Sequence, residues 1–137
     1  MNLPSHSDHS TIGMVSLQRF DLEVEGNDHL RCDIRYPSDQ SGPLPVVIFA
    51  HGFKGFKDWG SIPYICTCLA GAGFYVVSFN FSHNGVEGDS EDVTRPGLFR
   101  DNMITREVQE TIALVDAVSR GNVPSAEMID PSDINLL

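Results

Sequence analysis

The sequence has no long apolar run, and its N-terminus lacks the pattern of a secretory leader. None of its apolar stretches approaches the roughly 18 residues of a membrane-spanning helix. The first residues, MNLPSHSDHSTIGMVS, contain neither a basic start nor an apolar segment after it. These absences predict a chain without a membrane span and without a signal peptide.

Basic residues are also scarce. Nine Lys and Arg stand against nineteen Asp and Glu, which gives a formal net charge of −10 at pH 7. The phosphates of a nucleic acid require a basic protein face, and an anionic membrane surface attracts one as well. The composition therefore predicts that neither nucleic acid nor a membrane is a partner of this chain.

Cysteine is rare and shows no pairing pattern. The three cysteines are an odd number, and Cys66 and Cys68 are two residues apart, which places them on different sides of a helix. We interpret all three as buried or half-buried free thiols rather than as a disulfide framework or a metal centre. Free thiols suit a reducing compartment, so we predict a cytoplasmic protein.

The chain is long enough for one domain with an apolar core, since 41% of its 137 residues are hydrophobic. Residues 1–15 are polar and punctuated by proline and glycine, so we predict a disordered arm there and a single domain over residues 16–137. His6, Asp8 and His9 in the arm have no further ligands at supporting spacing. We therefore predict neither a metal site nor a cofactor.

Two runs of alternating apolar and polar residues precede the first fully apolar segment. They cover residues 22–24 and 30–34, and the turn-forming residues Gly26-Asn27-Asp28 separate them. A glycine–asparagine turn between alternating runs is typical of an antiparallel β-hairpin.

The segments LPVVIFA (residues 44–50) and GFYVVSFNF (residues 73–81) would be apolar on both faces of a strand. Strands of this kind are usually parallel and covered by helices on both sides. A helix is predicted between them over residues 61–71, and a second over residues 104–119. Ile134–Leu137 has the pattern of a further buried strand. The order of elements therefore predicts an α/β fold.

Each predicted helix has one apolar side that we expect to face the sheet. In the first helix the apolar positions are Ile62, Ile65, Cys66 and Leu69. In the second helix they are Ile104, Val108, Ile112, Val115 and Val118.

Together these elements resemble the N-terminal half of an α/β-hydrolase. PVVIFAHGFKG, AGFYVVSFNFSHNG and DINLL follow the hairpin in the order typical of that fold. The similarity is greatest to the dienelactone-hydrolase and prolyl-oligopeptidase-like branch, and it runs from about Leu17 to Leu137. It implies an antiparallel hairpin leading into a mostly parallel sheet with strand order 1-2-4-3. It also implies helices on both faces, with Ile134–Leu137 beside the third strand.

The resemblance further implies a serine hydrolase that acts on an ester or related acyl bond of a small-molecule or peptide-like substrate. In this family the loop after His-Gly supplies an oxyanion-hole donor, which here would be the backbone N–H of Phe53. Gly52 would let the backbone turn and approach the substrate closely. His51 is structural in this family, because the histidine of the catalytic triad comes last in the chain. Lys54 and Lys57 are expected in solvent, since no P-loop pattern accompanies them.

The residues of the triad are missing from the sequence. The family's nucleophile belongs to a G-x-S-x-G elbow after the fifth strand, followed by the acid and the histidine. No serine of residues 1–137 has that context, and the sequence stops just before the expected elbow. We therefore expect a fragment truncated before the nucleophile and inactive by itself. The alternative is a non-catalytic binding or interaction module built on the half-fold.

A second alternative is a GDSL-type esterase that uses Ser90 in the sequence Gly88-Asp89-Ser90. In that class the motif follows the first strand, whereas here it lies inside the acidic loop VEGDSEDV, for which we expect a solvated loop. His83 and Asn84 in the same loop are candidates for the mouth of the site or for a turn around Gly85.

Overall fold

The computed structural model describes residues 14–137, which form one mixed five-stranded sheet with helices on both faces. The strands are β1 (Val15–Glu23), β2 (His29–Pro37), β3 (Leu44–Ala50), β4 (Tyr75–Asn80) and β5 (Ile129–Leu136). The helices are α1 (Ile62–Gly71), α2 (Pro96–Arg100) and α3 (Ile104–Ser119), with 3-10 turns at Glu25–Asn27 and Ala126–Met128. Most of the predicted arm, with His6, Asp8 and His9, lies outside the described residues.

The strand order is β1-β2-β4-β3-β5. The antiparallel pairs are β1 with β2 and β2 with β4, while β3 runs parallel to both β4 and β5. The predicted order and the place of the last strand beside β3 are thereby confirmed. β5 begins at Ile129 rather than at Ile134, because the polar residues 130–133 continue the strand at the exposed edge of the sheet, with an irregular register opposite Leu44 and Val46.

Side chains of β4 alternate between two apolar layers. Tyr75, Val77 and Phe79 pack in one cluster with Leu114 and Val118 of α3. Val76 packs in a second cluster with the buried positions of α1, which are Ile62, Cys66 and Ala70. Successive residues of a strand point to opposite faces, so α1 and α3 cover opposite faces of the sheet, as predicted. Within residues 14–137, no helix is long and apolar enough to cross a membrane.

The buried residues of α1 recur at every fourth position, and this spacing corrects two sequence-based expectations. Ile65 is 39% exposed and Cys68 is exposed, because both fall off the line of Ile62, Cys66 and Ala70. Cys32 and Cys66 are buried free thiols, as predicted.

The apolar side predicted for α3 is wrong over its first half. Three of its positions are more than half exposed, namely Ile104, Val108 and Ile112. The buried positions of α3 are Glu110, Leu114, Ala117 and Val118. Glu110 determines which side of α3 faces the sheet, because its carboxylate accepts hydrogen bonds from the backbone N–H (3.0 Å) and the hydroxyl of Ser82. Ser82 lies two residues after the end of β4. Leu114 and Val118 follow at four-residue intervals on the same face.

Candidate functional site

The loop after β3 begins at His51, beside the end of β4. His51 is buried, its Nε2 accepts from the Phe81 N–H at 3.3 Å, and its Nδ1 donates to the Gly52 carbonyl at 3.0 Å. This arrangement requires a neutral imidazole with its proton on Nδ1. Burial lowers the pKa of His51 and so favours that form, although the Gly52 hydrogen bond and the charge of Glu107 oppose the shift. His51 therefore ties the loop to the neighbouring strand.

A β-turn follows over residues 52–55. The Gly55 N–H donates to the Gly52 carbonyl at 2.9 Å, and Lys54, the second central residue, has a φ of 62°. The positive φ therefore falls on Lys54, while Gly52 has no left-handed conformation. Gly52 occupies the first position of the turn and accepts its hydrogen bond, and its close approach to a substrate stays a prediction.

Gly55 is the glycine that packing requires in this loop. A Cβ on Gly55 would lie 2.9 Å from the Gly52 carbonyl oxygen and 3.3 Å from the His51 Cβ, whereas a Cβ on Gly52 would meet nothing within 4 Å. The backbone would have to shift to admit a methyl group at residue 55 but not at residue 52.

We expect Gly55→Ala to lower the free energy of unfolding by about 1–3 kcal/mol, which is the range typical of a steric conflict with backbone. Gly52→Ala is the matched control, with an expected change within about 0.5 kcal/mol. Urea denaturation of both variants measures the difference. Equal losses of stability would contradict the close approach at Gly55.

The backbone N–H of Phe53 donates to no acceptor within residues 14–137. Phe53 is the first central residue of the turn, a position whose N–H takes no part in the turn's own hydrogen bond. Its ring is 86% exposed, 5.7 Å from the ring of Phe99, and the Lys54 Nζ lies 5.7 Å from its centroid. An unpaired donor thus stands just beyond the carboxyl end of β3.

Phe53 lines a cavity of about 230 Å³ between this loop and the start of α3. Its apolar walls come from Phe99, Met103 and Ile104, and its polar walls include Asn84, Asn102 and Glu107. Residues 51, 52, 54 and 55 complete it. The structure therefore brings Asn84 into the same cavity wall as His51, Gly52 and Phe53.

His83 is not among the residues that line this cavity. Its Nδ1 lies 2.7 Å from the Ser82 Oγ and 3.9 Å from the Asp28 carboxylate. Asn84 also forms part of the turn around Gly85, since its Oδ1 accepts from the Val86 N–H at 2.9 Å. Of the two residues considered for the site mouth, the structure places only Asn84 beside Phe53.

Two other cavities are larger. One, of about 520 Å³, lies between the turn after β1 and α3. Another, of about 470 Å³, borders the Phe53 loop from the side of α1. The first of these cavities borders neither the loop after β3 nor Phe53. The smaller cavity beside Phe53 is the better candidate, because polar side chains converge on it.

Ser82, His83 and Glu110 form a cluster that resembles a nucleophile with its base. The single hydroxyl proton of Ser82 goes to the Glu110 carboxylate, which can only accept, so His83 Nδ1 must donate to the Ser82 oxygen. An imidazole that donates to the hydroxyl cannot also take its proton. The cluster therefore fixes α3 to β4 and is not arranged for nucleophilic attack.

Ser90 lies in a local turn. Its Oγ accepts from the Asp92 N–H at 3.1 Å and lies 3.3 Å from the Asp92 carbonyl. No histidine within residues 14–137 is hydrogen-bonded to it. The neighbouring Asp89 is half-exposed and binds Arg31 through two hydrogen bonds of 3.1 Å. The GDS sequence thus anchors its loop to β2.

Lys57 is buried, with 1% exposure, and the expectation that it lies in solvent is wrong. Its Nζ lies 3.2 Å from Asp33, 2.7 Å from Asp58 and 2.8 Å from Asp89. Burial lowers the pKa of Lys57, but the hydrogen bonds to Asp58 and Asp89 and the charge of Asp33 outweigh it, and the net shift is upward. The ammonium group therefore connects β2, the loop after β3 and the loop after β4. Lys54 is exposed, as predicted.

Within residues 14–137 there is no group of three or more His, Cys, Asp or Glu that could hold a metal ion. The residues that line the candidate site are amides, one carboxylate, one lysine, a buried histidine and apolar side chains. Such a site can hold a small organic group through hydrogen bonds.

No protein-family model matches the sequence, and no curated protein matches it. Solved structures do match. Brefeldin A esterase, a bacterial homologue of human hormone-sensitive lipase, superposes with a TM-score of 0.67 at 17% identity, over 90% of this chain and 31% of its own. An acetyl xylan esterase from a Paenibacillus species superposes with a TM-score of 0.65 at 18% identity, over 90% of this chain and 41% of its own.

A Klebsiella pneumoniae protein assigned as a dienelactone hydrolase gives a TM-score of 0.62 at 15% identity, over 89% of this chain and 48% of its own. The chain thus spans about a third to a half of the length of the solved structures it matches. At sequence identities of 15–18%, these superpositions are evidence for a shared fold alone. The strand order, the two helical layers and these superpositions together show that the chain has the α/β-hydrolase fold, in the form of its N-terminal half.

Proposed function

We propose that this chain supplies the oxyanion-hole side of a serine hydrolase that acts on an ester or related acyl bond. The observation that carries the proposal is the unpaired N–H of Phe53, which stands at the carboxyl end of β3 and lines a cavity. The esterases among the structural neighbours support the same reaction class.

The role of Phe53 follows from the chemistry of acyl transfer. When a nucleophile attacks the carbonyl carbon, a C–O bond forms and the π electron pair moves to the carbonyl oxygen. A fixed N–H close to that oxygen stabilises the negative charge. The electron pair then re-forms the C=O bond as the C–O bond to the leaving group breaks, and the leaving oxygen takes up a proton and departs as the alcohol. The turn at residues 52–55 holds the Phe53 N–H in place before the reaction, so no donor has to be reorganised.

The proposal assigns the nucleophile, the acid and the catalytic histidine to sequence outside residues 1–137. Inside the described part of the chain, His51 has both nitrogens engaged, Ser82 donates its proton to Glu110, and Ser90 belongs to a local turn. The substrate would be a small ester or a peptide-like molecule.

The test compares two purified proteins, residues 1–137 and a form extended through any coding sequence that follows Leu137. Both are incubated with p-nitrophenyl esters and with a fluorophosphonate that labels active serines. We expect turnover and labelling only in the extended form. Turnover by residues 1–137 that Ser90→Ala abolishes would support the GDSL-type alternative instead. The absence of any extension, or a folded extended form without turnover, would support the non-catalytic module.

A further inference from the structure

Asn80, the last residue of β4, connects the loop after β3 to the loop after β4. Its side chain is buried, since the residue is 3% exposed, and it is not among the residues that line the Phe53 cavity. Its Oδ1 accepts from the Lys57 N–H at 2.7 Å, and its Nδ2 donates to the Gly88 carbonyl at 3.2 Å. A backbone N–H can only donate and a carbonyl can only accept, so these two partners determine the orientation of the amide.

The segment that carries Phe53 is attached to the end of β4 on both of its sides. At its start, His51 Nε2 accepts from the Phe81 N–H at 3.3 Å. At its end, the Lys57 N–H donates to Asn80. Two neighbouring residues of the chain therefore supply one anchoring hydrogen bond on each side of the turn.

The turn itself makes no hydrogen bond to a more distant part of residues 14–137. The hydrogen bonds of residues 52–56 stay within residues 51–59. Phe56 is also buried, with 8% exposure, but apolar packing is non-directional. The direction in which the Phe53 N–H points therefore depends on the two anchoring hydrogen bonds.

We infer that Asn80 is a positioning residue for the proposed ester hydrolysis, because it fixes the direction of the Phe53 N–H through Lys57. The inference rests on the proposed function, in which that N–H meets the oxygen that becomes negatively charged. An oxyanion donor stabilises charge only when it is held in place before the reaction. A displacement of about 1 Å in a catalytic arrangement can lower the rate by roughly 100-fold, even when its cause lies away from the chemistry.

The kinetic test is a double-mutant cycle between Asn80 and Phe53 in the extended form of the protein. Asn80→Ala should lower kcat for p-nitrophenyl esters by about 10- to 100-fold, with a change in KM of less than about threefold. In a Phe53→Pro background, where the N–H is already absent, the same substitution should lower kcat by less than about threefold. Equal losses in the two backgrounds, or an unchanged kcat in folded Asn80→Ala protein, would overturn the inference.

Val77→Ala is the control for a purely structural effect. Val77 is fully buried in the same strand, so its truncation destabilises the core without removing a hydrogen bond of either loop. Its kcat should stay within a few-fold of the original value at a temperature where thermal unfolding shows that both variants are folded. A loss of kcat equal to that of Asn80→Ala would overturn the positioning role.

A second substitution keeps the test decisive if Asn80→Ala protein does not fold. Asn80→Thr suits a strand, because β-branched residues are favoured there. The threonine hydroxyl is attached one bond closer to the backbone than the amide oxygen and is too short to reach the Lys57 N–H. The same loss of kcat and the same dependence on Phe53 are expected, and their absence would overturn the inference.

A measurement on residues 1–137 separates this inference from the proposed function. Relaxation of 15N reports the order of the Phe53 N–H in the unmodified protein and in the Asn80→Ala and Val77→Ala variants. We expect the order parameter of about 0.85 that is typical of rigid backbone in the unmodified protein and in Val77→Ala, and a fall toward about 0.6 in Asn80→Ala. An unchanged order parameter in Asn80→Ala would overturn the inference, whether or not an extended form hydrolyses esters. A lowered order parameter with no turnover in any extended form would support the anchoring by Asn80 and contradict the proposed hydrolase.

Discussion

Replacement of Lys57 by methionine is expected to lower the free energy of unfolding by about 3–5 kcal/mol. The Lys57 and Asp33 side chains are both fully buried, and their ion pair has an Nζ–Oδ2 distance of 3.2 Å. Removal of the ammonium group leaves the Asp33 carboxylate in the interior with only Arg19 at 3.3 Å and Arg35 at 3.8 Å. An incompletely paired buried charge is among the most destabilising changes a protein interior can undergo.

Lys54→Met is the matched control for this prediction, because Lys54 is an exposed lysine three residues earlier in the same loop. Its effect should remain within about 0.5 kcal/mol. Urea denaturation followed by circular dichroism gives both values. A change of less than about 1 kcal/mol in Lys57→Met would mean that the buried pair does not stabilise the fold.

Replacement of Phe53 by proline is expected to lower kcat by roughly 100-fold or more in a form of the protein that turns over esters, with little change in KM. Proline has no backbone N–H, so the proposed oxyanion donor disappears. The first central position of a β-turn favours proline, and the turn at residues 52–55 should therefore keep its shape. The loss should appear in kcat because the hydrogen bond strengthens as charge develops in the transition state.

Phe53→Ala separates the backbone from the ring. It keeps the N–H and removes a side chain that is 86% exposed, so kcat should stay within a few-fold of the original value. Thermal unfolding of both variants checks that the fold is intact. Unchanged turnover in folded Phe53→Pro protein would contradict the oxyanion-hole proposal, and so would an equal loss in Phe53→Ala.

The sequence was sufficient to predict the order of strands and helices, because periodicity and turn residues are local signals. The runs 44–50 and 73–81 have apolar residues on both faces of a strand, and β4 is indeed buried at every position. The glycine–asparagine turn marked the hairpin, and Gly26 has the positive φ of 81° that such a turn requires. Fold class and topology followed from these patterns together with the family resemblance.

The errors concern polar residues whose partners are distant in sequence. Lys57 has the local pattern of a surface residue, and only the fold brings Asp33, 24 positions earlier, to its ammonium group. Glu110 interrupts the apolar pattern of α3, and its pairing with Ser82, 28 positions away, rotates the helix so that Ile104 faces outward. No local pattern reports such contacts.

Sequence reasoning identified only some of the residues that line the cavity. Asn84 was considered because it adjoins a turn, but Asn102 and Glu107 were not. The one usable signal is the carboxylate of Glu107 in the first turn of α3, which the helix dipole favours. It predicts neither the Asn102–Glu107 hydrogen bond nor the place of these residues beside Phe53, because both depend on how α3 packs.

The position of β3 between β4 and β5 has a consequence for the growth of the chain on the ribosome. Its second neighbour, β5, ends at Leu136, 56 residues after Asn80, where β4 ends (136 − 80). At roughly 5–20 residues per second, synthesis of that stretch takes roughly 3–11 s. During this interval the free edge of β3 in the β3–β4 pair has unsatisfied N–H and C=O groups, and strands in that state are the ones that join to other chains. The nascent polypeptide is therefore most vulnerable to aggregation between the synthesis of β4 and the emergence of β5.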